Sequence, residues 1–130
     1  MIHKIQTVGS SYVAIEVKTV KWERCVCISK DASLVTLNYA ETKQLNVIVQ
    51  SIDAGNYVFK EYWFVKKWSE IYKVFLSEFR GIKSFQIRQW LVSQTYTGFG
   101  KLGISLPAYK IKELQIHMRS VLQEFEEIKA

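Results

Sequence analysis

This chain of 130 residues holds one proline, Pro107, two cysteines and two histidines, and each scarcity excludes something. A single proline, with no low-complexity or Ser/Gly-rich stretch, argues against a linker-divided or disordered chain. Cys25 and Cys27 stand one residue apart, a spacing that on a strand puts both thiols on one face and disfavours a bond between them. With only His3 and His117 besides, no metal set with recognisable ligand spacing exists. The thiols therefore read as small buried hydrophobes, and no metal or cofactor is expected. No apolar run approaches membrane-spanning length, and the amino terminus MIHKIQTV lacks the charged-then-apolar layout of a signal peptide. The expectation is an intracellular protein with no membrane partner. Nucleophile elbow, HExxH, Walker loop and paired-carboxylate signatures are missing too, so nothing argues for an enzyme.

What is present is a pattern written twice. Residues 33–52 read SLVTLNYAETKQLNVIVQSI and residues 103–122 read GISLPAYKIKELQIHMRSVL. Each is a short apolar strand, a polar or proline break, then a helix with one apolar stripe. A stretch rich in β-branched and aromatic side chains precedes each helix, which points to a duplicated supersecondary unit. A chain of this length forms one compact domain and not two independent ones. We therefore expect a single α+β domain of two tandem ββββα units, 1–56 and 57–130, with antiparallel curved sheets packed around two helices.

The element pattern supports this division. An edge strand is expected over 2–8, then alternating Val13, Ile15 and Val17 on a second strand, a third over 22–29, and a fourth over 34–37. Asn38 is a helix N-cap with Glu41 as its reciprocal partner, Leu45, Ile48, Val49 and Ile52 form the stripe, and Gly55 suits the C-terminal cap. In the second unit, strands are expected over 57–65, 70–79, 82–93 and 101–106, with a hairpin turn near Arg80-Gly81. The last helix carries Ile111, Leu114, Met118, Val121, Leu122 and Phe125 on one face. One segment fits two periods. Phe64, Val65, Trp68, Tyr72, Phe75, Leu76 and Phe79 also follow a helical spacing that ends at Gly81, but the β-rich flanks and the repeat favour strands.

Charge and aromatics concentrate in one stretch. Residues 57–106 carry eight Lys/Arg against three Asp/Glu and thirteen of the eighteen aromatics, whereas 1–56 carry six against five and 107–130 are balanced at four each. Interleaved basic and aromatic residues suit a surface that follows phosphates and stacks bases; the competing reading is a basic protein whose aromatics fill its core. On a strand, Phe85, Ile87 and Leu91 share one face and Gln86, Arg88 and Trp90 the other, with Lys73, Ser77 and Phe79 extending that second face from the preceding strand. The run Gly98-Phe99-Gly100-Lys101-Leu102-Gly103 satisfies GxGxxG, but a strand follows it where a dinucleotide loop needs a helix, so the glycines read as a loop entering the eighth strand.

Three segments in order carry a family resemblance: Glu78-Phe79-Arg80-Gly81, then Ile87-Arg88-Gln89-Trp90, then Gly100-Lys101-Leu102-Gly103-Ile104-Ser105-Leu106 running into an amphipathic helix. This order resembles the positive cofactor four family of transcriptional coactivators, whose ββββα unit dimerises to bind single-stranded DNA. Two such units in one chain look like the Whirly and mitochondrial RNA-binding architecture. The resemblance covers 70–125 well and 1–56 in outline, and Leu102 departs from the basic residue the family places before this glycine. It implies nucleic-acid contacts at Phe79, Arg80, Arg88 and Lys101, with Trp90 at the matching aromatic position. The strand faces add Lys73 and Lys83, and the first unit offers Lys18, Trp22 and Arg24. The expected partner is single-stranded DNA, or RNA on the same surface, bound with little sequence preference. Self-association through helices or sheet edges, or a protein-interaction role for the aromatics, is the competing class.

Overall fold

The computed structural model describes residues 2–7, 11–53, 62–65 and 71–129, with backbone alone at 62–65, Phe79 and 127–129. Period-two alternation builds the first sheet. In β2 (Tyr12–Val20), Val13 and Ile15 are buried while Ala14 and Glu16 are only partly covered. Around it stand β1 (His3–Gln6), β3 (Glu23–Lys30) and β4 (Ser33–Leu37), in the order β1-β2-β3-β4 and antiparallel throughout. Lys21 and Trp22 join β2 to β3 with φ of 49° and 70°, and Asp31 opens the next turn at 52°. Short hairpin links favour this hand because it matches the twist of the strands they connect.

Helix α1 (Tyr39–Asp53) starts where its cap signal places it. The Glu41 N–H donates to Asn38 Oδ1 at 2.8 Å, and the Asn38 N–H donates to Glu41 Oε1 at 2.8 Å. Two amide donors that a helix start leaves unsatisfied are thereby paired. Leu45, Ile48, Val49 and Ile52 form its buried stripe. Gly55, expected as its C-terminal cap, lies outside the described residues.

The second sheet takes the order β5-β6-β7-β8: β5 (Tyr62–Val65), β6 (Ile71–Phe79), β7 (Ile82–Val92) and β8 (Thr97–Pro107), again antiparallel. Arg80 and Gly81, with φ of 51° and 80°, form the expected turn between β6 and β7. The helical alternative for 64–79 is not what the described part adopts. Tyr72, Val74 and Leu76 join the core, while Phe75 and Ser77 fall on the other face. Aromatics on both faces of β6 blurred the period; Trp68 and residues 57–61 lie outside the described residues.

One expectation is corrected. β8 begins at Thr97, so Gly98, Gly100 and Gly103 stand inside a strand and not in a loop before it. After a register shift between Arg88 and Trp90, pairing resumes at Trp90 with Phe99, Leu91 with Gly98 and Val92 with Thr97. The glycines lie beneath neighbouring side chains: an added Cβ at Gly100 would come 2.6 Å from Gln89 Oε1. Glycine in a strand marks such bulges and close approaches.

A single 3-10 turn (Ala108–Lys110) leads into α2 (Ile111–Lys129), whose Ile111, Leu114, Met118, Val121 and Phe125 are buried. The helices lie against each other. α2 covers β1 and β2 of the first sheet, while α1 meets β3, β4 and β5. One apolar cluster runs through both sheets and both helices, from Ile15 and Ile28 through Leu45 and Leu114 to Phe85 and Ile104. The fold is α+β, with two antiparallel sheets and two helices. The sheets meet along β4 and β8, where the Gly103 N–H donates to Ser33 Oγ at 3.4 Å and Lys30 Nζ donates to the Ser105 carbonyl at 2.8 Å. Among the described residues no helix is long and apolar enough to cross a membrane.

Candidate functional site

The inward face of the second sheet is apolar: Tyr72, Val74, Phe85, Ile87, Ile104 and Leu106 belong to the core. Its other face is built differently. Directly opposed residues on antiparallel strands share a face. Lys73 stands opposite Arg88, Phe75 opposite Gln86, and Ser77 opposite Ser84. Across β8, Arg88 faces Gly103, Gln86 faces Ser105 and Trp90 faces Phe99. Cations, aromatics and hydroxyls therefore meet on one side of three strands.

The geometry is that of an interlocked cluster. Lys73 Nζ lies 3.6 Å from the centre of the Trp90 ring, and the Arg88 guanidinium carbon lies 4.8 Å from that of Phe99. Trp90 and Phe99 meet edge to face at 5.0 Å and 85°, and Phe75 tilts against Phe99 at 5.6 Å. Each cation over a ring face is attracted by the ring quadrupole, about 0.5–2 kcal/mol depending on exposure. Lys73 is only 7% exposed, so its long stem is buried along apolar neighbours. Beside the rings, Gln86 Nε2 donates to Ser77 Oγ at 2.6 Å, and the Ser77 and Ser84 hydroxyls are 3.0 Å apart.

Two backbone features position these side chains. A Cβ at Gly103 would come 2.7 Å from Arg88 Cδ, so the bare glycine lets the arginine stem cross β8 at close range. The register shift between Arg88 and Trp90 leaves Gly100, Lys101 and Leu102 opposite Gln89. That bulge brings Phe99 under Trp90 and leaves Lys101 exposed beside the cluster.

Of the residues expected from sequence, the structure brings together Lys73, Arg88 and Trp90, with Lys101 adjacent. Arg80 is at the far hairpin turn, eight residues along the strand from Arg88 and about 26 Å away at strand rise. Lys83 pairs with Glu78 in register and is exposed near the hairpin turn, on the alternation of Phe85 and Ile87 and not that of Arg88 and Trp90. Phe79 closes β6 opposite Ile82, and its side chain lies outside the described residues. In the first sheet, Lys18 is bound to Glu16 at 2.8 Å, and that hydrogen bond raises the lysine pKa. Trp22 projects fully exposed from the β2–β3 turn. Arg24 shares the inward alternation of Val26 and Ile28, and its Nη1 is enclosed without a hydrogen-bond partner among the described residues.

Two members of the cluster were not singled out from the sequence. Phe75 sits midway between Lys73 and Ser77, so period two alone places it on this face. Phe99 was hidden in the glycine run, and only the bulge pairs it with Trp90. No model of a known protein family matches the chain, and no curated protein matches it in sequence. The chemistry of the site is therefore read from its own residues. Among the described residues no three His, Cys, Asp or Glu side chains converge as a metal site.

Proposed function

We propose that this protein binds single-stranded nucleic acid, DNA before RNA, on the outward face of the second sheet and with little sequence preference. The observation that carries the reading is the cluster of Lys73, Arg88, Trp90 and Phe99 on one face. Aromatic faces stack any base at about 1–3 kcal/mol each, and cations beside them neutralise the connecting phosphates. Paired bases hide the faces the rings need, so duplex is the poorer ligand. The order of elements supports reading the chain as two ββββα units of the positive cofactor four and Whirly kind, with the second supplying most contacts. The Lys73 and Arg88 contacts to rings describe the free protein; a bound strand exchanges the cations onto phosphate and the ring faces onto bases.

The test is fluorescence anisotropy of a labelled mixed-sequence single strand and its matched duplex across a salt series. Single strand should bind more tightly, with log K falling against log salt by about 0.7 for each phosphate neutralised. Arg88→Ala with Lys101→Ala should weaken binding and flatten that slope while leaving the circular-dichroism melt nearly unchanged. Wild-type affinity in that variant would place the site elsewhere. One observation favours a second reading: Leu91, Val92 and Tyr96 are exposed at the end of the β7–β8 hairpin, next to the cluster. An exposed apolar hairpin suits a protein partner or a second copy. In that case the protein associates at micromolar concentration and oligonucleotides bind weakly.

A further inference from the structure

The first sheet carries a smaller arrangement on its own face opposite the core. Ala14 and Ser29 oppose each other across β2 and β3, and with Ser11, Tyr12, Lys30 and Asp31 they line a groove of about 310 Å³. Ala14 and Ser29 are small and leave the floor low. Tyr12 forms one wall, 43% exposed, and Lys4 Nζ sits 4.8 Å from the centre of its ring. That repeats, at lower burial, the pairing of Lys73 with Trp90. Lys30 joins the two places. Its ammonium donates to the Ser105 carbonyl at 2.8 Å and reaches the Ser105 hydroxyl at 3.4 Å, and Ser105 pairs with Gln86 beside the aromatic cluster.

We propose that this groove is a second nucleotide subsite, holding one nucleotide of a single strand that leaves the aromatic cluster across the β4–β8 seam. The inference rests on the reading above and extends its surface onto the first sheet, at residues other than Lys18, Trp22 and Arg24. Tyr12 offers a π-face, which any base can stack on. Lys4 and Lys30 supply the phosphate contacts. Asp31 at the lip accepts hydrogen bonds only, so it takes a base amino group and repels a phosphate from that end. The volume is at the small end of ligand-sized pockets, enough for one base with its sugar. Phe99 and Ser105 are six residues apart on β8, at most about 20 Å. A strand must therefore run several nucleotides beyond the cluster to reach the groove.

Length dependence tests this directly. Labelled mixed-sequence strands of four and twelve nucleotides are titrated by anisotropy into wild type, Tyr12→Ala, Tyr12→Phe and Trp90→Ala. Losing the Tyr12 ring should weaken the twelve-nucleotide complex by about 5- to 100-fold and leave the four-nucleotide complex unchanged. Tyr12→Phe keeps the ring and should bind like wild type; Trp90→Ala should weaken both lengths. Tyr12→Ala binding the longer strand as tightly as wild type, while Trp90→Ala loses it, overturns the subsite and spares the cluster. Wild type binding neither length overturns the functional reading and the subsite with it.

Discussion

At the scale of single residues, the two histidines do what neither could be read to do from sequence. His3 on β1 and His117 on α2 face each other with their Nδ1 atoms 3.1 Å apart, and His3 Nε2 lies 3.9 Å from the Glu124 carboxylate. At that Nδ1 distance one ring donates to the other, the roles being set by the tautomers. Burial lowers the His117 pKa, the neighbouring His3 lowers it further, and Glu113 partly opposes both. A histidine whose folded pKa lies below its ordinary 6.5 binds its proton more readily when unfolded. Its contribution to stability is therefore complete above that value and is lost as pH falls from there through the lowered folded value. Urea denaturation should show a smaller pH 7.5-to-5.5 loss of stability in His117→Gln than in wild type; an equal loss would mean that His117 does not carry this pH dependence. Gly103 gives a second residue-scale prediction. Gly103→Ala puts a methyl against the Arg88 stem, which is flexible and can move. Stability in chemical denaturation should change little, within about 1 kcal/mol, while single-strand affinity falls severalfold because the guanidinium is displaced from Phe99.

Elements differ in how much of their basis is local, and this decided what could be read from the chain. The start of α1 was legible because Asn38 and Glu41 satisfy each other's backbone within four residues. Asn38→Ala should cost about 1 kcal/mol in chemical denaturation. Adding Glu41→Ala should cost less than it does alone, since the two act as one device. β2 and the Arg80-Gly81 turn were legible for the same reason: alternation and a glycine in the left-handed region are local signals. β8 was not. Its first three residues, Thr97 to Phe99, pair with β7 only because β8 bulges by two extra residues opposite Gln89, and a bulge belongs to two strands at once. The candidate site inherits this division. Arg88, Trp90 and Lys73 followed from alternation along their own strands, whereas Phe99 required the slipped register. The alternation of Lys83 with Phe85 and Ile87, and of Arg24 with Val26 and Ile28, is legible from their apolar neighbours and sets both apart from the face of Arg88.

For the molecule as a whole, the arrangement of the helices matters more than the count of strands. α2 comes from the second half of the chain, yet it lies on β1 and β2 of the first sheet, and α1 reaches β5 of the second. Ile5, Val13 and Ile15 thus lie in the same apolar cluster as Leu114, Met118 and Val121, all with at most 1% exposure. Burying a side chain of this kind contributes about 1.5–3 kcal/mol, and neither half can bury its sheet alone. The first half, of 56 residues, would be marginal even with a complete core. Two consequences follow for a chain cut after residue 56. Fragments 1–56 and 57–130, made separately, should lack the near-ultraviolet dichroism and amide dispersion of a packed protein. Mixed at micromolar concentration, they should recover both, together with the single-strand binding assigned to the second sheet. A second fragment that folds and binds alone would show that the shared core is dispensable. Recovery only on mixing would show that one chain folds its two halves as a single cooperative body.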